Sequence, residues 1–473
     1  MRKHLLLLLF LGILLPFRAI SQNTRAGKPN IIFILADDLG YGNLSSYNKN
    51  SPIPTPNIDR LAQEGTKFTS FYSGSTVCAP SRGALMTGLH MGHAWVRGNS
   101  SAKDGTGALR PQDTTLAQRL QNNGYSTGMY GKWGLGDAET LGAPHLKGFD
   151  EFYGYLDQAH AHDYYTNRLY EIRDNKTLEV KVDSADYTQD LIVNKALSFL
   201  KSHKDEPFFL YLPFTLPHAE LKVPDELLKK FQNADGSSKL GPETPFQKKG
   251  NYDSQAQPHA AFAAMVSKLD QDVGRVLDLV KQLSIEDNTY IFFTSDNGPH
   301  KEGGADPAFF NSSGPLRGVK RDLYEGGIRV PLLVRAPGKI PSGKESNIQW
   351  AFWDILPTVG ELTSTSVPTA IDGISFTPAL AGKEQSKQHD YLYWQFNEGG
   401  LKEALTQGDW KLVRFKEQGK PEVLELYNLK DDIAEKVNLA EKQPLQLKKL
   451  KSLLANAKTP SENKTFDWSD QEL

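Results

Sequence analysis

The chain has 473 residues, 39% hydrophobic and 23% charged, ordinary values for a soluble globular protein with a large core and room for two domains. Lys and Arg (54) nearly balance Asp and Glu (56), which excludes a global field favouring nucleic acid but leaves room for a local basic pocket. A single cysteine, Cys78, excludes an internal disulfide.

The chain opens with "MRKHLLLLLFLGILLPFRAISQ". Arg2 and Lys3 precede an apolar run over residues 5–15, and Ala19-Ile20-Ser21 stand before Gln22. A basic start, a short apolar stretch and small residues predict a signal peptide over 1–21. The run is shorter than the ~20 apolar residues of a membrane span, and no cysteine follows it to carry a lipid. The expectation is an exported protein, periplasmic or secreted, with no membrane anchor. Proteins of oxidising compartments commonly use cysteines in pairs, so a lone Cys78 is filler, a metal ligand, a nucleophile or a precursor of something else.

Continuous apolar runs then predict buried parallel strands, each ending in polar residues. "NIIFILADD" ends at Asp37-Asp38, "YSTGMYGKWG" near Lys132, "PFFLYLPFTLPHAE" at His218 and "TYIFFTSDNG" at Asp296-Asn297. "IRVPLLVRAPG" follows Gly327. Helical patterns alternate with them. "TPNIDRLAQEG" has Thr55 as N-cap, Pro56 in the first turn and Gly65 as a stop. "TTLAQRLQNNG" repeats that logic, and the longest helix is expected from about 260 to 283. Residues 234–257, rich in Gly, Ser, Lys and Pro, read as a surface loop. From 386 onward, "YLYWQF", "ALTQGDWKLVRF" and "VLELYNL" suggest short antiparallel strands, followed by a Lys/Leu-rich helix from about 444 to 457. The expected fold is α/β: a large, mostly parallel sheet flanked by helices over 22–385, with a small C-terminal α+β domain over 386–473. Ligands of such sheets collect at the carboxyl ends of strands, where the polar clusters fall.

A lone Asp-Asp is usually a solvated turn. Two acidic pairs at strand ends are different, because carboxylates facing one site repel unless a cation neutralises them. Asp37, Asp38, Asp296 and Asn297 offer hard oxygen donors, which suit Ca²⁺ or Mg²⁺ better than zinc.

The stretch "CAPSRGALMTG" closely resembles the signature of the type I sulfatases of the alkaline-phosphatase-like superfamily. The likeness extends in order through "NIIFILADDLGYGNLSSY", "GYSTGMYGKWGLG", "FTLPHAE", "FFTSDNG", "LRGVKRDLYEGGIRVPLLVRAPG" and "WDILPTVGEL" to "GDWKLVRF". The chain resembles bacterial carbohydrate sulfatases and arylsulfatase A-like enzymes. The resemblance implies that Cys78 is oxidised to formylglycine by a formylglycine-generating or radical maturase enzyme. Its hydrated aldehyde attacks the sulfate ester, and its second hydroxyl then expels sulfate. A serine would be left as a slowly hydrolysed sulfate ester.

The resemblance also implies one divalent cation per subunit, Ca²⁺ or else Mg²⁺, held by Asp37, Asp38, Asp296 and Asn297 against residue 78. Arg82 would hold the modified side chain, and Lys132 and Lys320 the sulfate. His218, with Lys320, would assist departure of the alcohol, and Asp296 could take the attacking hydroxyl's proton. One position departs from the pattern. Many relatives carry a histidine where this chain has Gly134, which leaves the base for sulfate release to another residue, with His93 and His300 as candidates.

Two stretches are expected to face the alcohol. "HMGHAWVRGN" offers His90, His93, Arg97 and Asn99, and "DQAHAHDYYTNRLY" offers His160, His162, Tyr164 and Tyr165. Histidines beside aromatic rings suit a sugar. "YGYLDQAHAHDYYTNRLY" also resembles a stretch of bacterial sulfatases acting on galactose or N-acetylgalactosamine sulfates, so exo-type removal of sulfate from such a sugar is the expected activity. Two other readings stay open here: a phosphatase or phosphonate-ester hydrolase on the same scaffold, and a non-catalytic binder of sulfated glycans.

Overall fold

Strand β1 (Asn30–Ala36) is buried at every position because both of its faces are covered. Ile32, Ile34 and Ala36 belong to one hydrophobic cluster, and Ile31, Phe33 and Leu35 to a second. That alternation is the two-residue period of a strand, and burial on both sides is why the run is apolar throughout. The computed structural model describes residues 27–100, 107–417 and 419–467, so the expected signal peptide lies outside the described residues.

The main sheet continues with β2 (Thr66–Tyr72), β3 (Ser126–Lys132), β4 (Glu151–Tyr155), β5 (Arg168–Arg173), β6 (Lys176–Lys181) and β7 (Phe208–Pro213). It is completed by β8 (Thr289–Ser295), β9 (Arg329–Arg335), β10 (Lys344–Ser346) and β11 (Trp350–Ala351). Their order is β10-β2-β9-β8-β1-β7-β3-β4-β5-β6, with β11 also paired to β2. The centre, β8-β1-β7-β3-β4, is parallel. The margins are mixed: β9 runs antiparallel to β8 and β2, β10 and β11 run parallel to β2, and β5 runs antiparallel to β4 and β6. "IRVPLLVRAPG" is thus a strand, as its apolar run predicts, but a reversed one. Apolar patterning reports burial and carries no direction.

Helices cover both faces. Thr188–Ser202 and Pro258–Gln282 place Ile192, Val193, Leu269 and Val273 in the first cluster. Leu116–Asn122 and Ile355–Thr363 place Leu116, Leu120, Ile355 and Val359 in the second. Thr115 closes the predicted cap, accepting from Gln118 N while the Gln118 side chain accepts from Thr115 N. Thr55 precedes helix Pro56–Glu64 as expected, yet its side chain makes no cap bond. The capping carboxylate comes from the long helix instead: Asp270 Oδ1 accepts from Asn57 N (2.9 Å) and Ile58 N (2.8 Å). Strand β7 stops at Pro213, so the approach to His218 is loop rather than strand.

Strands β12 (Leu392–Phe396), β13 (Leu401–Gln407), β14 (Trp410–Lys416) and β15 (Val423–Asn428) form a separate antiparallel sheet in that order. Helix Pro444–Asn456 packs Leu450 and Leu454 against one face, over Tyr393, Leu405 and Leu412. The other face presents Trp394, Ala404 and Val413 to Tyr72 and Trp353 of the larger unit. Trp394 Nε1 donates across that seam to the Ser73 carbonyl at 2.9 Å.

Candidate active site

Four neighbouring parallel strands end side by side, and each delivers chemistry from its carboxyl end. Asp37-Asp38 follow β1, Asp296-Asn297 follow β8, Lys132 closes β3, and His218 lies in the loop after β7. Asp38 is left-handed (φ 62°), a conformation Asp tolerates better than most residues. The turn breaks the strand alternation, so consecutive carboxylates reach one point: Cys78 Sγ lies 3.2 Å from Asp37 Oδ1 and 4.0 Å from Asp38 Oδ1.

Cys78 opens a helix, Cys78–Thr87, in which every residue is buried. Ser81 moors that helix to the sheet by donating to the Asp296 carbonyl at 2.6 Å and accepting from Gly74 N. One turn on, Arg82 donates from Nε (3.1 Å) and a terminal nitrogen (2.8 Å) to Asp296 Oδ2. Its other terminal nitrogen donates to the Lys132 carbonyl. Lys132 Nζ meets Asp37 Oδ2 at 2.7 Å, and Lys320 Nζ meets Asp38 Oδ2 at 2.8 Å.

Charge dominates this pocket. Burial alone would raise the Asp37 carboxyl, but Lys132, Arg82 and Lys320 outweigh it and hold it low. Burial, and next the Asp37 charge, push Asp296 up to about 7. The Cys78 thiol is driven well up by burial and by Asp37, so as a plain cysteine it is a poor nucleophile.

His218 is fully engaged. Its Nδ1 faces the Ala219 carbonyl, which can only accept, so the proton sits on Nδ1 and Nε2 receives a hydrogen bond from Lys320 Nζ (2.9 Å). Burial first, then Lys320 and Lys132, keep its pKa far below the usual imidazole value. His218 lies between two other imidazoles, stacked on His162 (4.6 Å between ring centres) and on His300 (5.4 Å).

A divalent cation fits this arrangement. Three buried carboxylates converge with the Asn297 amide, and Asn297 Oδ1 is buried without a partner, an acceptor that a cation would satisfy. Burial first and the Asp37 charge next hold the Asp296 carboxyl up, and a bound cation would relieve that cost.

The structure thus brings together Asp37, Asp38, Cys78, Arg82, Lys132, His218, Asp296, Asn297 and Lys320, with His162 and His300 flanking His218. The other sequence candidates lie beside this cluster or apart from it, and His300 is held by its neighbours. His93 Nδ1 is paired with Asp372 Oδ1 at 2.8 Å and its ring stacks on His90. Arg97 is buried and donates to the Ala94, Gly92 and Thr459 carbonyls, so its guanidinium ties the chain's C-terminal segment down. His300 Nε2 faces the Pro217 carbonyl and Nδ1 accepts from Glu302 N, which leaves neither nitrogen for a proton on the reacting group. His160 packs edge-on to Tyr155 and bonds Thr166 through Nε2. Tyr164 is fully buried and donates to the His218 carbonyl at 2.7 Å. It supports the site from behind.

Two participants have no signal in the sequence. Glu302 Oε2 lies 3.1 Å from Lys320 Nζ, and Tyr252, from the loop over 234–257, packs against His162. Each matters only through a neighbour distant in the chain.

The sulfatase family model matches residues 29–365, and the model of the N-sulphoglucosamine sulphohydrolase C-terminal region matches 319–459. The chain is 30% identical to an N-acetylgalactosamine-6-O-sulfatase of Bacteroides thetaiotaomicron, over 93% of this chain and 94% of that protein. It is 31% identical to the N-acetylgalactosamine-6-sulfatase of Canis lupus familiaris, over 81% of this chain and 71% of that protein. Among solved structures, Ps i-CgsB in complex with k-i-k-neocarrahexaose superposes with a TM-score of 0.76 at 28% identity, covering 94% of this chain and 98% of that one. The chain belongs to the sulfatase family, the sulfuric ester hydrolases of the alkaline-phosphatase-like superfamily.

Proposed function

We propose that this sulfatase removes O-sulfate from a carbohydrate, exo-acting on a terminal sugar of galactose or N-acetylgalactosamine type. The relatives named above support the sugar class. One observation carries the chemistry: Cys78 Sγ meets both carboxylates of the Asp37-Asp38 pair inside a ring of three buried cations.

Residue 78, as formylglycine, supplies an attacking hydroxyl and a second hydroxyl whose deprotonation expels sulfate. Asp37, Asp38, Asp296 and Asn297 would hold a divalent cation, Ca²⁺ or else Mg²⁺, whose charge polarises the sulfuryl group. Arg82 and Lys132 carry fixed positive charge to the developing anion, and their ion pairs pre-set their positions, so little reorganisation is needed during reaction. Lys320 Nζ bears the proton for the departing alcohol, because the Nε2 of His218 is an acceptor in this geometry. His218 aims that ammonium group, and the half-buried His162, stacked on it, contacts the sugar. The basic, then apolar, N-terminal segment supports export and action in the periplasm or outside the cell. Among the described residues no helix is long and apolar enough to cross a membrane. Conversion of Cys78 requires a formylglycine-generating or radical maturase as partner.

Mass spectrometry of active enzyme should find the Cys78 peptide about 18 Da lighter, the change from thiol to aldehyde, and Cys78→Ala should be folded and inactive. Defined sulfated mono- and disaccharides, each paired with its phosphate analogue, then give the substrate. Full activity with an unmodified thiol would sink the mechanism, and preference for the phosphate would sink the assignment.

A further inference from the structure

Gly134 lies two residues past Lys132, with φ of +77°. The volume a side chain would enter there is already taken. A Cβ built on Gly134 would stand 2.2 Å from the amide nitrogen of Gln158. That amide is the far end of a flexible side chain, so glycine at 134 and glutamine at 158 are a matched pair: one makes the space and the other fills it.

The amide is not packed there as an inert filler. Its nitrogen and oxygen are both buried and neither has a hydrogen-bond partner, a costly state unless a ligand supplies the missing bonds. Ser100 Oγ and His160 Nδ1 are in the same condition. These three side chains, with Gly134, Asp157 and Arg168, line one cavity of about 510 Å³. These four buried, unpartnered polar atoms all belong to side chains that line one cavity.

Their chemistry is selective. An amide, a hydroxyl and an imidazole each offer hydrogen-bond donors or acceptors without a full charge, and a sugar hydroxyl both donates and accepts. A second sulfate would instead meet the carboxylates of Asp137, Asp157 and Asp163, which outnumber the guanidinium of Arg168 among the lining residues. We propose that this cavity is a sugar-binding subsite and that Gln158 reads ring hydroxyls there, donating from Nε2 and accepting at Oε1. This rests on the carbohydrate-sulfatase reading above. A carboxamide does not take up a proton near neutral pH, so the position beside Gly134 recognises substrate in this chain and does no acid–base work.

The test is a ratio: kcat/KM for the best sugar sulfate divided by kcat/KM for a small aryl sulfate, which has no ring hydroxyls. Enzyme lost to misfolding or incomplete conversion of Cys78 cancels in it. Gln158→Ala should lower the ratio roughly 10- to 100-fold, chiefly through KM for the sugar. Gly134→Ala should lower it too, because its Cβ expels the amide, and Gln158→Asn should fall between parent and Gln158→Ala. An unchanged ratio in Gln158→Ala, whether both substrates suffer equally or neither does, overturns the proposal. A parent enzyme that cleaves the aryl sulfate and no sugar sulfate overturns the carbohydrate reading itself, and that is known before any variant is made.

Discussion

Among the described residues, two clusters of buried charge make a useful pair, one at the carboxyl ends of β1, β3 and β8 and one in the seam between the two sheets. The first holds Asp37, Asp38 and Asp296 with Arg82, Lys132 and Lys320. In the second, Lys411 of β14 lies 2.9 Å from both Glu325 and Glu435, and all three side chains are wholly buried. Glu325 also accepts from the Tyr72 hydroxyl (2.9 Å) and pairs with Arg329 (3.2 Å). The composition is similar but the completion is not. The seam closes on itself within the chain. Each cluster holds one carboxylate raised to about 7, Asp296 and Glu435, but Glu435 Oε1 lies 2.9 Å from Lys411 Nζ, whereas Asn297 Oδ1 at the strand ends is buried without a partner. Buried charge left incomplete marks a place where something else binds, whereas buried charge that is complete joins two parts of a fold.

The comparison breaks most sharply on cation dependence. Chelation of the parent should remove turnover and added Ca²⁺ or Mg²⁺ should restore it, and Asp37→Asn should lose turnover without rescue. The expected loss is several kcal/mol of transition-state stabilisation, roughly 10³-fold or more. The cation should also raise the melting temperature of the parent and leave that of Asp37→Asn unmoved, because only a binder of the native state stabilises it. If metal-free parent keeps its rate, the strand-end cluster is as closed as the seam.

Next in size is the seam. Lys411→Met leaves two carboxylates buried without their shared cation, which should cost about 3–5 kcal/mol of folding stability in denaturant melts. Its response to Ca²⁺ should survive in the protein that remains folded. Adding Glu325→Gln and Glu435→Gln to Lys411→Met should recover most of the loss, since a buried ion cluster replaced as a whole is often neutral. Full stability in the single variant would mean that water enters the seam.

The two clusters also differ in how far they could be read from the chain. The strand-end residues follow apolar runs buried on both faces, so Asp37-Asp38 and Asp296-Asn297 announce themselves where hydrophobicity stops. The signature around Cys78 places the rest by resemblance. Strands β5 and β6 gave no such signal because they are short and half-exposed at a margin of the sheet. The seam was illegible for another reason. Lys411 reads as one more polar residue of an antiparallel strand, and its partners come from positions 325 and 435, with no pattern linking the three. Gln158 has the same difficulty: its meaning depends on a glycine 24 residues earlier that becomes its neighbour only in space.

The smallest expected effect separates the clusters by pH. Glu435 is pushed up to about 7 from the ordinary value of 4.5, by burial first, with Lys411 opposing and the Glu325 charge adding to the rise. Its Oε2 accepts from Glu325 N at 2.7 Å, and Arg317 reaches only its backbone carbonyl, so among the described residues Lys411 is the one cation paired with the carboxylate. Lys411 is shared with Glu325, whose own pKa is held low: burial would raise it, but Lys411 and Arg329 prevail. Between about pH 4.5 and 7 the native protein therefore binds a proton that the unfolded chain has released. Stability falls as pH rises through that window and levels off above it. Glu435→Gln mimics the protonated form, so it should remove Glu435's share of the slope, leaving that of Asp296, and gain on the order of 1–3 kcal/mol over the parent at pH 8. The two should converge near pH 4.5, where the parent is protonated as well. Denaturant midpoints measured at half-unit steps from pH 4.5 to 8.5, in chelator so that the strand-end cluster binds no cation, read the difference directly. Parallel curves for parent and variant would mean that Glu435 is ionised throughout. The seam would then hold two full negative charges against Lys411 and Arg329, and its closure would rest on Arg329 as much as on Lys411.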